Sequence, residues 1–203
     1  MSSNANQWVS LLDANSLAGW TTGYAEHGWS VENGVLQCVP GHKRHLYTEA
    51  TYENFVLSLD FRIEAGMNSG VFLRCSDVND IVNTGIEIQI YDTFDWPEPN
   101  THSCGAIYDL VAPRVNAVKA PGEWNTLVVT CSGPHISVTL NDQDIAEMNC
   151  DLWTEPGKNP DGSENKYIYA WRDMPRRGHI LLQDYGSNKG LMWYRNIKIK
   201  ELD

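Results

Sequence analysis

The chain has no long apolar segment, and it has few basic residues relative to acidic ones. No apolar run approaches the roughly 20 residues that a membrane-spanning helix needs. The 15 Lys and Arg residues face 26 Asp and Glu, which gives a formal net charge of −11. A nucleic-acid-binding protein normally carries a basic stripe, and an acidic surface disfavours anionic lipid. We therefore expect neither a nucleic acid nor a membrane as partner.

Motifs for common cofactors and nucleophiles are also absent. The five cysteines are scattered without a C-x-x-C pair, so neither a zinc ribbon nor a thioredoxin-like motif is indicated. G-x-G-x-x-G, Walker A and G-x-S-x-G do not occur, and "PDGSEN" lacks the full pattern of a calcium loop. The six histidines form no H-x-H or H-E-x-x-H pair. These absences leave the sequence without a standard nucleotide-binding, metal-binding or serine-hydrolase signature.

Short segments of alternating apolar and polar residues recur along the whole chain, separated by Gly, Pro, Asn and Asp clusters. This pattern is typical of all-β proteins. The clearest segment is "NFVLSLDFRIEA" (54–65), and "HISVTLNDQDIAEMN" (135–149) is interpreted as one strand of a hairpin. No long helix and no linker is evident. We predict one domain over residues 1–203, a sandwich of two antiparallel sheets, with long loops at 93–105 and about 151–178.

The stretch "GIEIQIYD" (85–92) combines an apolar face of three isoleucines with a polar face of Glu87, Gln89 and Tyr91. A solvent-exposed strand and a ligand-binding strand both alternate in this way. We favour the ligand-binding reading because Gln and Tyr replace the usual Lys and Thr. The same outward parity predicts further groove residues on other strands: Asp60, Arg62, Arg74 and Gln183.

Glu87 is the one acid on this polar face if the strand is regular. Ordinary glycosidases use two carboxylates, about 5–5.5 Å apart for retention and 6.5–9.5 Å apart for inversion. The positions that follow on the same face are Gln89 and Tyr91. The two-carboxylate mechanism is therefore poorly supported on this strand.

Eight Trp and nine Tyr are many for this length, and they indicate either a packed β core or platforms that stack on sugars. Two histidines also stand out. His102 lies in the long loop directly after "GIEIQIYD", and His45 lies among basic and imidazole side chains in "GHKRHLYT".

The sequence resembles the 3-keto-disaccharide hydrolase family, which is linked to 3-keto-glycoside lyase and hydratase activity. The resemblance runs from "WVSLLDANSLAGW" to "WYRNIKIKEL" and includes "GIEIQIYD", "GAIYDLVAP", "WTEPGKNPDGSENK" and "GHILLQDYGSNKG". No single segment is decisive, but their number and order are specific. The resemblance implies a concanavalin A-like jelly roll and cleavage of a 3-keto-glycoside. One departure is Tyr185, which stands where relatives often have His.

The implied chemistry is removal of the C2 proton beside the C3 ketone, followed by elimination of the aglycone, and it needs a single base. Glu87 or His102 would be that base, and Arg74 would stabilise the enolate oxygen. Predicted substrate-binding residues are Gln89, Tyr91, Asp60, Arg62, His45, Tyr108, Trp96, Trp171, Gln183 and Asp184. The resemblance also allows a divalent metal as cofactor. The expected partner is an oligosaccharide or glycoside.

Two alternatives stay open at this point. A non-catalytic sugar-binding module on the same fold would need polar groups and a platform but no base with a perturbed pKa. A structural domain with a vestigial site would bury Glu87 in a salt bridge. "MSSNANQW" lacks the basic and apolar regions of a signal peptide. We expect a periplasmic or secreted protein whose signal peptide is missing from this sequence, with a cytoplasmic location as the alternative.

Overall fold

The structure is a computed structural model that describes residues 6–25, 27–186 and 190–203. The strands in chain order are β1 (Val9–Ser10), β2 (Trp20–Thr21), β3 (Trp29–Glu32), β4 (Val35–Cys38), β5 (Leu46–Thr48), β6 (Phe55–Ile63), β7 (Asn68–Cys75), β8 (Ile86–Tyr91), β9 (Asn125–Ser132), β10 (His135–Leu140), β11 (Gln143–Asn149), β12 (His179–Leu182) and β13 (Met192–Glu201). The helical segments are α1 (Ile81–Thr84) and two 3-10 turns, Cys150–Leu152 and Trp171–Asp173. Within these described ranges, no helix is long and apolar enough to cross a membrane.

The strands form two antiparallel sheets, which we call sheet A and sheet B. Sheet A has the order β11-β10-β9-β6-β13-β4-β3, with β1 paired to β13, and sheet B has the order β2-β5-β12-β7-β8. Strands distant in sequence, such as β6 and β13, are neighbours, as crossovers in a jelly roll require. The predicted all-β sandwich of two antiparallel sheets is confirmed.

Strand β6 illustrates how the sequence builds the core. Every second residue from Phe55 to Ile63 is buried, and the residues between them are partly exposed. Burial of each such side chain contributes about 1.5–3 kcal/mol. A slip of one residue would expose all of them, so the alternation fixes the register. The apolar side chains of both sheets join in one cluster.

Strand β8 is buried on both faces. Its three isoleucines lie in the core, while Glu87 and Gln89 on the other face are only 6% and 3% exposed. One cause is that residues 105–108 pair with the outer edge of β8. The Gln89 N–H donates to the Ala106 carbonyl at 3.0 Å, and the Tyr108 N–H donates to the Glu87 carbonyl at 2.9 Å. The polar face of "GIEIQIYD" is therefore a covered surface, not a solvated one.

The interpretation of residues 135–149 as one strand is wrong. They form a second hairpin, β10 and β11, whose turn is Asn141–Asp142. Both turn residues have positive φ, 50° and 63°, as a type I′ hairpin turn requires. Asn and Asp adopt this conformation more easily than other non-glycine residues.

All five cysteines are free and buried. Burial raises the pKa of Cys104 and of Cys131 to about 12. Because the thiolate is the reactive form, these two thiols are inert core side chains at neutral pH.

Candidate active site

The outer face of sheet B presents its side chains in rows that cross the strands. The register places Tyr47 on β5, Leu181 on β12, Phe72 on β7 and Glu87 on β8 in one row. An adjacent row contains Gln183, Gly70 and Gln89: Gly70 pairs with Gln89, and its carbonyl accepts from the Gln183 N–H at 2.9 Å. We call this face the sheet B groove.

Glu87 is the carboxylate of the sheet B groove. Burial raises its pKa to about 7, and the positive charge of Lys166 opposes that rise. Among the described residues, none hydrogen-bonds to this carboxylate. A Cβ atom at position 70 would collide with the Glu87 side chain, so Gly70 provides the space that it occupies. A carboxyl group of this pKa can both accept and donate a proton near neutral pH.

Asp109 connects the two long loops that supply further polar groups to this site, because it contacts His102 of one loop and Lys166 of the other. One Asp109 oxygen lies 3.3 Å from Nε2 of His102, and the other accepts the backbone N–H of Lys166 at 2.7 Å. Asp109 has φ 62°, in the left-handed region. Asp adopts this region more easily than most non-glycine residues, and the contacts with His102 and Lys166 hold it here.

Lys166 and Tyr108 face the Glu87 charge. The Lys166 amine lies 3.9 Å from the centroid of the Tyr108 ring, and the His102 ring packs on the same ring at 4.8 Å. Desolvation lowers the pKa of Lys166, although the negative charges of Glu87 and Asp109 raise it. The pKa of Tyr108 is raised by desolvation first, and then by the charges of Glu87 and Asp109. These groups therefore form one electrostatically coupled cluster.

Two amide oxygens in the sheet B groove have no hydrogen-bond donor. Oε1 of Gln89 and Oε1 of Gln183 are both buried and unpaired among the described residues. An unsatisfied buried acceptor costs about 1–3 kcal/mol, and such groups are rare in native proteins. Each oxygen is therefore an acceptor without a donor on the polar face of sheet B. Near this end of β8, Tyr91 packs edge-on against the half-buried Trp96 at 5.7 Å.

His45 and Asp184 lie at the β5–β12 side of the groove. Nδ1 of His45 accepts the Asp184 N–H at 3.2 Å. The Asp184 carboxylate is 1% exposed and accepts the backbone N–H groups of Gly41 and His42 at 3.1 and 3.0 Å. Asp184 thus holds the 41–44 loop. The prediction that its carboxylate lies on the groove surface is therefore wrong.

The prediction that Arg74 lies in this groove is wrong. A bulge between β7 and β12, near His179 and Leu181, gives Arg74 a φ of 53° and breaks the strand alternation. Its guanidinium is buried and donates to the carbonyls of Glu53 and Gly133, each at 2.8 Å. Arg74 therefore ties sheet B to loops of sheet A.

Asp60 and Arg62 do face outward, but from the wrong sheet for this groove. Both are on β6 of sheet A. Asp60 accepts from Arg195 at 3.1 Å and from Asn196 at 2.7 Å, and Arg62 lies 4.2 Å from the Trp193 ring centroid. The parity argument correctly gave the side of each strand, but it could not give the sheet.

Trp171 is a core residue and not a platform for a sugar. It is 2% exposed and packs edge-on against Tyr167 at 4.9 Å. Tyr167 in turn donates its hydroxyl to the Tyr108 carbonyl at 2.7 Å. Trp171 and Tyr167 therefore help to hold the Tyr108 backbone in place.

Sequence reasoning missed Lys166, Asp109 and Tyr167. Lys166 lies in the loop that was singled out for its length, but nothing in the sequence distinguishes it from Lys158 in the same loop. Asp109 lies in "GAIYDLVAP", where the resemblance drew attention to the segment but not to the residue.

The residues fit a resident metal poorly. No group of three or more His, Cys, Asp and Glu side chains converges in the ranges that the structure describes. His102 and Asp109 supply two donors, and a typical zinc site takes three or four protein ligands.

Comparison with known proteins indicates carbohydrate chemistry. The family model of the 3-keto-alpha-glucoside-1,2-lyase-like domain matches residues 7–200. A 3-keto-disaccharide hydrolase from Bacteroides thetaiotaomicron is 23% identical, over 98% of this chain and 80% of that protein. A crystal structure of a "putative glycosyl hydrolase" from Parabacteroides distasonis is 38% identical over 97% of this chain and 100% of that one, with a TM-score of 0.87. Lectin II from Ulex europaeus shares the fold at 11% identity and a TM-score of 0.56, with 98% of this chain and all of that one covered.

Proposed function

Because the chain belongs to the family of 3-keto-alpha-glucoside-1,2-lyase-like domains, we propose that it cleaves 3-keto-glycosides by elimination and hydration. The observation that carries the proposal is Glu87, a buried carboxylate in the sheet B groove that has no hydrogen-bond donor among the described residues and whose pKa burial raises to about 7. Catalysis by a general base is most effective when its pKa lies near the working pH. A module that only binds sugar has no need of such a group.

The chemistry begins at C2 of the sugar, whose proton is acidified by the neighbouring C3 ketone. The Glu87 carboxylate takes this proton, and the electron pair of the C2–H bond moves onto the C3 oxygen as an enolate. The pair then forms a C1=C2 double bond while the C1–O bond to the aglycone breaks. The departing oxygen takes a proton, and addition of water to the unsaturated sugar completes the hydrolysis.

The charged and polar neighbours of Glu87 suit the other roles. Lys166 and Tyr108 both interact with its charge, and their N–H and O–H groups would stabilise the enolate oxygen, a role that the sequence gave to Arg74. The unpaired oxygens of Gln89 and Gln183 would accept hydroxyl protons of the sugar. His102 is the alternative base, but it is half exposed and held by Asp109.

The proposal is tested with a panel of 3-keto-glycosides and three variants. We expect Glu87→Gln to lower kcat/KM by about 10²-fold or more, and His102→Ala to have a smaller effect. Glu147→Gln, at an exposed carboxylate on sheet A, is the matched control and should keep full activity. The wild-type kcat/KM should fall as the pH drops below about 7, because Glu87 must be ionised to act as the base.

Exchange of the C2 proton with deuterated solvent, followed by NMR, separates proton abstraction from aglycone release. Full turnover by Glu87→Gln would overturn the assignment of the base. Sugar binding by calorimetry without turnover of any 3-keto-glycoside would instead identify a binding module. Assays with and without a chelator test the metal that the family resemblance allows. The periplasmic or secreted location stays a prediction.

A further inference from the structure

A concave site lies on the outer face of sheet B. It is a cleft of about 380 Å³, bounded in part by Tyr24, Lys43, Arg44, His45, Tyr47 and Asn79. His45, which lines the cleft, precedes Leu46, the partner of Leu182, so the polar row of Gln183, Gly70 and Gln89 continues from His45 across three strands. The neighbouring row from Tyr47 to Glu87 is closed, because Leu181 and Phe72 are buried there in a cluster with Ile81. Neighbouring strands are about 4.8 Å apart, so the two sites are roughly 14 Å apart along the groove. That separation is comparable with the length of a disaccharide.

The cleft is basic although the chain is strongly acidic. Lys43 and Arg44 both line it, and neither forms an ion pair with a carboxylate among the residues that the structure describes. The Arg44 guanidinium stacks over the Tyr24 ring, 3.6 Å from its centroid. Stacking fixes the plane of the guanidinium and leaves its edge N–H groups able to bind an oxyanion.

Three acids in the described segments that flank the cleft, Asp77, Asp80 and Asp184, are engaged elsewhere. Asp77 accepts the backbone and side-chain N–H groups of Asn79, at 2.9 and 3.1 Å. Asp80 accepts from Asn83 at 2.9 Å. Asp184 is buried beneath the loop, where it accepts backbone N–H groups. These carboxylates are therefore occupied by local donors and are not paired with the two cations.

The neutral donors in the cleft are also available to a ligand. Nδ1 of His45 accepts a backbone N–H, so the proton of the neutral ring is on Nε2. Burial lowers the pKa of His45, which favours this neutral form. The Tyr47 hydroxyl has no hydrogen-bond partner within the described ranges. Basic and neutral donors together suit a sugar that carries an acidic substituent.

We propose that this cleft binds an oxyanion, a carboxylate or a sulfate ester, on the second sugar of a glycoside whose keto-sugar contacts Glu87. The assignment of the keto-sugar rests on the proposed function, whereas the anion preference of the cleft does not. In a protein with a net charge of −11, a basic cleft whose two cations have no carboxylate partner in the described ranges selects acidic over neutral glycosides. The substrate class is thereby narrowed to acidic 3-keto-disaccharides.

Calorimetry with unoxidised sugars tests the cleft separately from catalysis. The Glu87→Gln protein is titrated at low salt with a glucuronyl-glucose disaccharide, a sulfated glucose disaccharide and cellobiose. We expect at least one acidic sugar to bind about tenfold more tightly than cellobiose, as one charge-assisted contact provides. The stronger of the two acidic ligands distinguishes carboxylate from sulfate. Added salt should weaken the preference.

Two variants test whether Arg44 causes the preference for acidic sugars. Arg44→Gln in the same background should remove it, whereas Arg62→Gln should retain it, because Arg62 stacks on a Trp ring of sheet A in a similar way. Thermal melting establishes that both variants are folded. Equal affinity for all three sugars, no binding at millimolar concentration, or a preference that survives Arg44→Gln would overturn the inference. If the preference is found but no 3-keto-glycoside is cleaved, only the proposed function fails.

Discussion

At the scale of single residues, Lys166 and Glu87 set each other's protonation. The Lys166 charge lowers the pKa of Glu87 against the larger effect of burial. In Lys166→Met this opposing charge is absent, so the pKa of Glu87 should rise further. We expect the acid limb of the kcat/KM profile to move to higher pH, with activity at pH 6, relative to the plateau of the same protein, reduced about fivefold or more compared with the wild type. The full pH–rate profile is the measurement.

Lys158→Met is the matched control, because Lys158 lies in the same loop but pairs with Glu155 at the surface. Its profile should coincide with that of the wild type. An unchanged acid limb in Lys166→Met, or an equal shift in both variants, would contradict the coupling of Lys166 to Glu87.

Burial of Glu87 has a cost in stability that depends on pH. Its pKa is about 7 in the folded state, against a model value of 4.5. Below pH 4.5 the carboxyl group is protonated in both states, and the folded state is not penalised. Between pH 4.5 and 7 the unfolded chain loses the proton first, so stability falls by about 1.4 kcal/mol per unit of pKa difference.

Glu87→Gln should therefore be more stable than the wild type at pH 8, by about 3 kcal/mol at most, and nearly equal to it at pH 4. Urea unfolding at the two pH values measures the difference. The same variant is expected to lose activity, so Glu87 contributes to activity at a cost in stability. A difference that is independent of pH would show that burial of the charge is not its cause.

How far the sequence predicts a site residue depends on the regularity of its backbone. Glu87 and Gln89 lie on the regular strand β8, and strand parity placed them correctly. Arg74 obeys the same parity in the sequence, but a bulge reverses it. Lys166 comes from an irregular loop, whose path is determined by contacts such as the Asp109 carboxylate and not by a local pattern.

At the scale of elements, the Arg74 bulge connects the two sheets. Arg74 donates from β7 to the carbonyls of Glu53 and Gly133, in loops that flank strands of sheet A. A Cβ atom on Gly178 would collide with the Arg74 backbone, so the opposite chain must be glycine here. Arg74→Met would leave the part-buried carbonyls of Glu53 and Gly133 without these donors. We expect a loss of about 2–4 kcal/mol in unfolding free energy.

The turnover of the folded Arg74→Met protein should stay close to that of the wild type, because the guanidinium lies away from the sheet B groove. Urea unfolding gives the stability, and kcat per folded molecule gives the activity. A stable variant with little activity would restore the catalytic role that the sequence first suggested. Arg177→Met, at an exposed arginine that donates to the Thr51 carbonyl, is the control for stability.

The strands were easier to predict than the segments that cover them. The alternation in β6 and β8 predicts the strands and their inward faces. It does not predict that residues 105–108 extend sheet B beyond β8, because that segment pairs through backbone groups and has no apolar alternation of its own. The burial of Glu87 depends on this cover, so the raised pKa of Glu87 could not be read from the strand alone.

At the scale of the molecule, each sheet of the sandwich has one outward face, and sequence alternation does not distinguish the two. Asp60 on sheet A is nearly enclosed by hydrogen-bond donors. Gln183 on sheet B has a buried oxygen with no donor among the described residues. A satisfied polar group stabilises the fold, whereas an unsatisfied one lowers stability, and under the proposed function the oxygen of Gln183 would accept a hydroxyl proton of the sugar. Asp60 and Gln183 should therefore respond to substitution in opposite ways.

Asp60→Asn should lower the unfolding free energy by about 1 kcal/mol and leave kcat/KM within about twofold of the wild type. Gln183→Leu should leave the stability unchanged or slightly higher, because it removes a buried unpaired oxygen, and it should lower kcat/KM for a 3-keto-glycoside about tenfold. Urea unfolding and initial rates on the same preparations provide both quantities. If Asp60→Asn impaired turnover as strongly as Gln183→Leu, the function could not be assigned to sheet B alone. A general loss of folding would lower the unfolding free energy and kcat/KM together. Opposite effects of the two variants on these quantities would therefore separate a role in the sheet B groove from a role in stability.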